Sequence, residues 1–446
     1  VCANNLPQFH YVHRPTGSPP LKYAGVAPTG PLPESVDFAL VRRPEPDEFT
    51  ALIFGDPQTR DAAEVEYVAR DLVAETSGTT AAFGITLGDI VFDDLSVFDL
   101  LVPTMGRIGV PWYNVAGNHD MNYDAADDAG SLETFTRVFG PPHYAFEHGP
   151  VLFFVLDDVV WHPPQDDRRG RYTAGFGADQ LAFIAGVLKG APVDQLVVLL
   201  MHIPIWEAGD RADLARLLRD RPNVLALAAH THTHYHRFLG ENDGWPAPRP
   251  LHAVSVGTSC GGWWTGLPDE YGVPHALMPD GTPNGYLVAT FGPGRYQWRW
   301  QAARRPASFQ LTIHAPHALP AADVTTTQIL VNVFDGSAKS TARLRLRERG
   351  DWITLDHTPL VDPGYAALHA AGQAEGAPPA ARLPGPAAAQ HIWSGYLPAT
   401  PPGTYTLEVE SRDMFGQLHT ARHVLRVESP RRPRVARSVP RRIMAP

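Results

Sequence analysis

From residue 46 onward, short apolar runs alternate with polar clusters. "FTALIFGD", "AAFGITLGD", "VPWYNVAGNHD", "YAFEHGPVLFFVLDD", "QLVVLLMHIP" and "NVLALAAHTH" are rich in β-branched and aromatic residues, and each stops at Asp, Asn, Pro or His. Such runs predict strands buried in a sheet. Between some of them the period changes to the helical one, in "RDAAEVEYVARDLVAE", "GADQLAFIAGVLKG" and "RADLARLLRDRP". Strands alternating with helices predict a layered α/β domain over 46–304. In open α/β sheets ligands collect at the strand ends, which is where the polar clusters fall.

After about residue 305 the helical spacing disappears. "SFQLTIHAP", "TTQILVNVFDG", "TARLRLRERGDWITLDH", "HIWSGYLPATPPGTYTLEVESRD" and "HTARHVLRVE" read as strands separated by turn residues. They predict a C-terminal β-sandwich domain over 305–428, with the Ala- and Pro-rich stretch 366–389 as a loop insertion. Residues 1–45, broken by "RPTGSPP" and "APTGPLP", read as an extended N-terminal arm or the remnant of an upstream domain. Residues 429–446 read as a basic, disordered tail. No repeat of fixed period is present.

Composition narrows the function classes. The 44 prolines and 39 glycines among 446 residues argue against an all-α fold. Net charge is −10, and without the tail's six arginines the body carries −16. A body that acidic repels nucleic acid and anionic lipid, so a phosphate-bearing ligand needs a local positive centre such as a bound cation. With only Cys2 and Cys260, a zinc finger or disulfide framework is excluded, and a single bridge between the two stays open. No run of about twenty apolar residues suggests a transmembrane segment. The start at Val1 without a leader is compatible with a processed export product.

Five polar clusters terminate five strands: "GDPQ" at 55–58, "GDIVFDD" at 88–94, "GNHD" at 117–120, "MHIP" at 201–204 and "AHTH" at 229–232. They offer imidazole, carboxylate and amide oxygen but no thiolate, a donor set that suits Zn, Mn or Fe. Taken singly, each reads as turn or cap chemistry. In this order and spacing they resemble the calcineurin-like metallophosphoesterases, in particular a bacterial, often exported branch that carries a C-terminal β domain. The "WW" and "DGTPNGY" of the 257–286 loop and "PTGPLPESVDFAL" before the first strand add to the resemblance.

The resemblance implies a four-layer α/β fold, a central β-sandwich flanked by helices, and a periplasmic or secreted location. It implies a hydrolase of phosphate esters, either a phosphomonoesterase or a phosphodiesterase, acting on small-molecule substrates through a metal-bridging hydroxide. Its cofactors would be two divalent or mixed-valence transition metal ions, Mn, Zn or Fe. Asp56, Gln58 and His232 would hold the first ion and Asp89 would bridge both, while Asn118, His202 and His230 complete the second. A carboxylate shared by two cations lowers their mutual repulsion. His119 would stabilise or protonate the reacting phosphate ester from outside the ion pair, oriented by Asp120 or Asp93. The sequence departs from the family's pattern at Gln58, where histidine is commoner and binds transition metals more tightly, and at Ala229, where glycine is usual.

"AHTHTHYH" places histidines at 230, 232, 234 and 236. The strand of the resembled family ends at the first of them, so His230 and His232 would reach different ions, and His234 and His236 read as ordinary exposed histidines. In the loop 257–286, Trp263 and Trp264 would form a substrate-binding wall that stacks on an aromatic leaving group, or else pin the loop to the core. The competing reading of the whole chain is a non-catalytic metal-binding or surface-binding protein with a vestigial phosphoesterase site, motivated by Gln58 and the large appended domain. A nuclease is disfavoured by the acidic body.

Overall fold

The computed structural model describes residues 21–23, 34 and 45–429, except 166–169, 248 and 275. Most of the arm expected over 1–45, the basic tail from 430 and Cys2 lie outside the described residues.

Strands β1 (Phe49–Phe54), β2 (Phe83–Thr86) and β3 (Trp112–Asn114) pair in parallel. Strands β4 (Tyr144–His148) and β5 (Val151–Val155) form a hairpin, and β6 (Val159–His162) and β7 (Arg171–Ala174) a second one outside the main sheets. Then follow β8 (Leu196–Leu200), β9 (Val224–Ala228), β10 (Tyr235–Leu239), β11 (Leu251–Ser255), β12 (Gly285–Gly292) and β13 (Arg295–Ala302). They build two sheets, of order β13-β12-β1-β2-β3 and β10-β11-β9-β8-β5-β4.

Side-chain alternation makes these sheets the middle of a four-layer stack. Ala51 and Ile53 of β1, Phe83 and Ile85 of β2, and Phe153, Val198 and Leu227 of the second sheet bury one face in a common core. The alternate residues point outward. Leu52 and Phe54 meet the helices Ala62–Val68, Phe98–Met105 and Glu133–Phe139. Leu152, Phe154, Val197 and Leu199 meet Gly177–Leu188 and Arg211–Leu218. Burial on both faces explains the unbroken apolar runs.

Beyond residue 310 the chain enters two further sheets. One contains β14 (Leu311–His314), β16 (Gln328–Val333), β22 (Ile392–Tyr396) and β19 (Asp356–His357). The other contains β15 (Ala318–Pro320), β24 (Leu418–Glu428), β23 (Gly403–Arg412), β17 (Thr341–Leu346) and β18 (Ile353–Thr354). Val331, Trp393, Leu344, Leu407 and Leu425 close a core between them. The β20–β21 ribbon (Leu360–Val361 with Ala388–Ala389) is separate. The expected loop insertion 366–389 is corrected: residues Pro363–Gln373 form a helix, capped by Asp362, whose carboxylate accepts from the Tyr365 N–H, and opened by a proline at its first turn. Among the described residues no helix is long and apolar enough to cross a membrane.

Candidate metal centre

Strands β1, β2, β3, β8 and β9 end at one edge of the paired sheets, and the five polar clusters follow them there. The backbone bends sharply at this edge. Nine described non-glycine residues have positive φ, and all except Arg304 lie in the loops that carry the site: Asp56, Gln58, Asp89, Asp93, His230, His232, Trp263 and Trp264. Such conformations cost of order 1–3 kcal/mol each and persist where the surroundings enforce them. The glycines make the close approaches. A Cβ on Gly117 would fall on the backbone nitrogen and carboxylate of Asp89, and one on Gly88, itself at φ +89°, on the His202 ring. Ala229 is not left-handed; the turn falls on His230, at φ 67°.

Asp56, Gln58, Asp89, Asn118, His202 and His232 are buried, and His230 is partly so. His202 donates Nδ1–H to the Leu87 carbonyl (2.8 Å), and His232 donates its own to Gly261 O (2.8 Å). Both imidazoles therefore turn an Nε2 lone pair inward. His202 Nε2 lies 3.0 Å from Asn118 Oδ1, 3.2 Å from Asp89 Oδ2 and 3.2 Å from His230 Nδ1. His232 Nε2 lies 3.3 Å from Asp56 Oδ2, an oxygen that is buried without a hydrogen-bond partner among the described residues. Lone pairs that converge in this way require positive charge among them.

The electrostatics agree. Burial disfavours a charge on His202, yet Asp89, Asp56 and Asp158 drive its pKa up to about 10, so that a proton on Nε2 supplies the positive charge there until an ion displaces it. Burial would raise Asp89, but His202 and His119 hold it well below the usual carboxylate range. Burial, aided by Asp89, pushes Asp56 up to about 8 against the pull of His202. Burial lowers His230 to about 3 and His232 to about 4, leaving both neutral as ligands must be. A cationic centre is needed here, and the donor set of imidazole, carboxylate and amide oxygen fits transition ions. The Cys260 thiol is free and buried, and burial pushes its pKa well up.

His119 stands at the edge of this cluster. Its N–H donates to Asp89 Oδ1 (2.8 Å), while its ring is stacked on Phe92 with centroids 4.3 Å apart. Ring Nδ1 lies 2.6 Å from Asp93 Oδ1, so Asp93 orients it. Burial opposes the charged imidazole, but Asp93 and Asp89 outweigh this and raise the pKa. Asp120 as a catalytic residue is corrected: its carboxylate accepts from the N–H groups of Ile90 (2.9 Å), Val91 (3.1 Å) and Gly117 (2.9 Å), tying two ligand loops together.

Gln58 turns Nε2 toward Asp89 Oδ2 (3.2 Å) and Oε1 toward the Cys260 thiol (3.7 Å), so its amide oxygen would meet an ion beside Asp89 once the amide rotates by half a turn. Other expectations need correction. Trp264 is not a substrate wall: it packs in the core and donates Nε1–H to the Pro57 carbonyl (2.9 Å). Trp263 is half-buried and stacks on His232 with centroids 4.0 Å apart. His234 and His236 are not exposed; their side chains are fully buried against Asp335.

Three positions were missed. Asp158, in the link between β5 and β6, accepts the backbone N–H of His202 (3.0 Å) and Ile203 (3.2 Å). The final "DD" of "FFVLDD" has the same strand-end signature as the other clusters. Tyr123 donates to the Asn118 carbonyl (2.7 Å), and Tyr172 faces the His230 ring at 6.1 Å.

Residues 49–234 match the family model described as calcineurin-like phosphoesterase, and residues 254–419 match that described as the C terminal of calcineurin-like phosphoesterase. Among solved structures, the chain is similar to a purple acid phosphatase from yellow lupin seeds (15% identity, TM-score 0.40), with 57% of this chain and 51% of that one covered. It is also similar to a dimetal phosphatase from Danio rerio (14%, TM-score 0.40; 57% and 96% covered). A third is the phosphopantetheinyl hydrolase of Mycobacterium tuberculosis (15%, TM-score 0.31; 48% and 90% covered). The aligned part thus spans about half the length of the lupin enzyme. No curated protein matches the chain.

Proposed function

We propose that this chain, a member of the calcineurin-like phosphoesterases that carries the family's C-terminal domain, is a metal-dependent phosphoesterase that hydrolyses small phosphate mono- or diesters at the strand-end cluster. The observation that carries this reading is His202 Nε2, which, with Nδ1–H engaged by the Leu87 carbonyl, faces three further donor atoms at 3.0–3.2 Å. Asp56, His232 and Gln58, the last through its amide oxygen, would hold one ion; Asn118, His202 and His230 would hold the other, with Asp89 shared. The donors favour Mn, Zn or Fe. Such ions supply Lewis acidity toward phosphoryl oxygens and acidify a coordinated water.

The protein's own groups supply the rest. Asp93 holds the Nδ1–H of His119 and favours the imidazolium, leaving Nε2–H to protonate the departing oxygen. Phe92 fixes the plane of that ring. Arg60, 4.9 Å over Phe92 and bonded to the Trp263 carbonyl (3.2 Å), Trp263 on His232 and the exposed Tyr172 beside His230 would form the rim past which a leaving group departs. The test is turnover of p-nitrophenyl phosphate and of its bis ester after chelation and reconstitution with Mn, Zn or Fe. Activity lost on chelation and restored by at least one ion supports the reading; no turnover with any ion between pH 5 and 9 contradicts it.

A further inference from the structure

The turn that carries His230 and His232 continues into a second polar cluster, built with the C-terminal domain. Asp335, in the turn after β16, is buried, and its Oδ1 accepts from His234 Nε2 (2.7 Å), His236 Nε2 (2.9 Å) and Trp298 Nε1 (3.1 Å). Behind them His236 Nδ1 meets His252 Nε2 (2.9 Å), and His252 Nδ1 meets the Tyr296 hydroxyl (2.9 Å). The Gly257 N–H donates to His234 Nδ1 (2.9 Å).

Two imidazoles beside a carboxylate invite comparison with a further metal site. Separation and tautomer decide against it. Donor atoms on one ion with bonds of about 2.1 Å stand roughly 3.0–3.4 Å apart in octahedral or tetrahedral geometry. The strand-end centre shows 3.0–3.3 Å, whereas the imidazole contacts to Asp335 are 2.7 and 2.9 Å, as in N–H donation to a carboxylate. The Gly257 N–H occupies the Nδ1 lone pair of His234, so the proton sits on Nε2 and leaves no lone pair there for an ion. A consistent set of donors runs Tyr296 to His252 to His236 to Asp335.

We infer that the C-terminal β domain is part of the metal centre's scaffold, with Asp335 a positioning residue that acts through His234 on the turn bearing His230 and His232. This rests on the proposed metal centre. His230 and His232 adopt φ of 67° and 51°, conformations that external contacts must enforce. Some act on the ligands directly, the His230 N–H donating to Asp56 Oδ1 (3.3 Å) and His232 Nδ1–H to Gly261 O (2.8 Å), and others act through His234, two residues beyond His232. Its side chain is held by Asp335, and its backbone N–H donates to Asp280 Oδ2 (2.7 Å). The same Asp280 oxygen accepts from His391 Nε2 (3.3 Å) of the β domain. Thr231 Oγ1 reaches Ser255 Oγ (2.5 Å), which fixes the turn from the catalytic side. Release of the Asp335 anchor removes the side-chain carboxylate that holds His234 and leaves the Asp280 and Gly257 contacts, with Thr231 and Ser255, to hold two strained ligands.

The test uses the full chain, with Asp335→Asn compared to Asp413→Asn. Asp413 is another buried carboxylate of the β domain, accepting from the Phe415 (2.9 Å) and Gln417 (2.8 Å) N–H groups; its segment touches Trp298 and Tyr296, and so flanks the Asp335 network without bonding to Asp335 or His234 itself. Co²⁺ titration by calorimetry, the Co²⁺ ligand-field spectrum, and kcat and KM on p-nitrophenyl phosphate are measured for each folded protein. Asp335→Asn is expected to weaken Co²⁺ binding by about tenfold, shift the ligand-field bands and lower kcat more than KM changes, while Asp413→Asn leaves the spectrum in place. If Asp335→Asn does not fold, His391→Gln loosens only the Asp280 arm and is expected to weaken Co²⁺ binding by about threefold. Wild-type affinity and spectrum in the folded Asp335→Asn protein, or in His391→Gln where it stands in, overturn the inference, as does an equal effect of Asp413→Asn. A third ion per wild-type chain that Asp335→Asn removes also overturns it. A wild-type protein that binds no ion overturns the proposed centre, and the inference with it.

Discussion

His119→Ala separates the group that handles the leaving oxygen from the groups that hold ions. The imidazole is tied to Asp93 at 2.6 Å and stacked on Phe92 at 4.3 Å, and it stands outside the convergence of Asp56, Asp89, His202 and His232. The backbone N–H that supports Asp89 survives the substitution. Ion content is therefore expected to stay at the wild-type level. A positioned general acid contributes about 10²–10⁴ in rate, equivalent to roughly 3–5 kcal/mol of barrier. That contribution should depend on the leaving group. A nitrophenolate departs without a proton, so kcat/KM should fall by only about tenfold, whereas an alkyl phosphate should lose the full 10²–10⁴. The ring is partly exposed, so stability should change by no more than about 1 kcal/mol. The assay is a leaving-group series read as kcat/KM against leaving-group acidity, with ions counted by elemental analysis. A loss that is uniform across the series, or a variant that loses its ions, would refute the division of roles.

Asp93→Asn should shift the alkaline limb of kcat/KM to lower pH. Asp93 raises the His119 pKa and so preserves the acid form as pH rises; without its charge that form is lost sooner. An unmoved limb contradicts the pairing. Gln58→His replaces a neutral amide by imidazole and is expected to tighten one of the two ions by about tenfold in calorimetry, unchanged affinity arguing against position 58 as a ligand. The two tryptophans should behave differently. Trp264→Ala should cost about 3–5 kcal/mol in denaturant unfolding through its lost core packing and hydrogen bond. Trp263→Ala should leave stability nearly intact while raising KM for aryl phosphates by about three- to tenfold.

The elements legible in the sequence were those whose local pattern and tertiary role coincide. "LVVLL" is apolar at every position and "FTALIF" at all but Thr50 because both faces of each strand are covered, and the Asp, Asn and His residues that follow must leave the sheet to meet one another. The helix Pro363–Gln373 was hidden by its alanines and glycines, although Asp362 and Pro363 supply a cap and a first turn. The fate of His234 and His236 could not be read locally, because their partner is Asp335, about a hundred residues away in another domain. The choice between Asp93 and Asp120 as the partner of His119 turned on the left-handed backbone at Asp93, which brings its carboxylate to the ring while Asp120 folds back under the ligand loops. Trp263 and Trp264 are chemically equivalent in sequence, and only the bend of consecutive left-handed residues sends one ring onto His232 and the other into the core.

The central claim, that two cations are gathered by strand-end side chains around Asp89, is tested most directly by anomalous diffraction from crystals of the Mn²⁺-reconstituted protein. Two anomalous peaks are predicted, about 3.5–4 Å apart and both within bonding distance of the Asp89 carboxylate. No peak there, or a peak at Asp335 in their place, would contradict it.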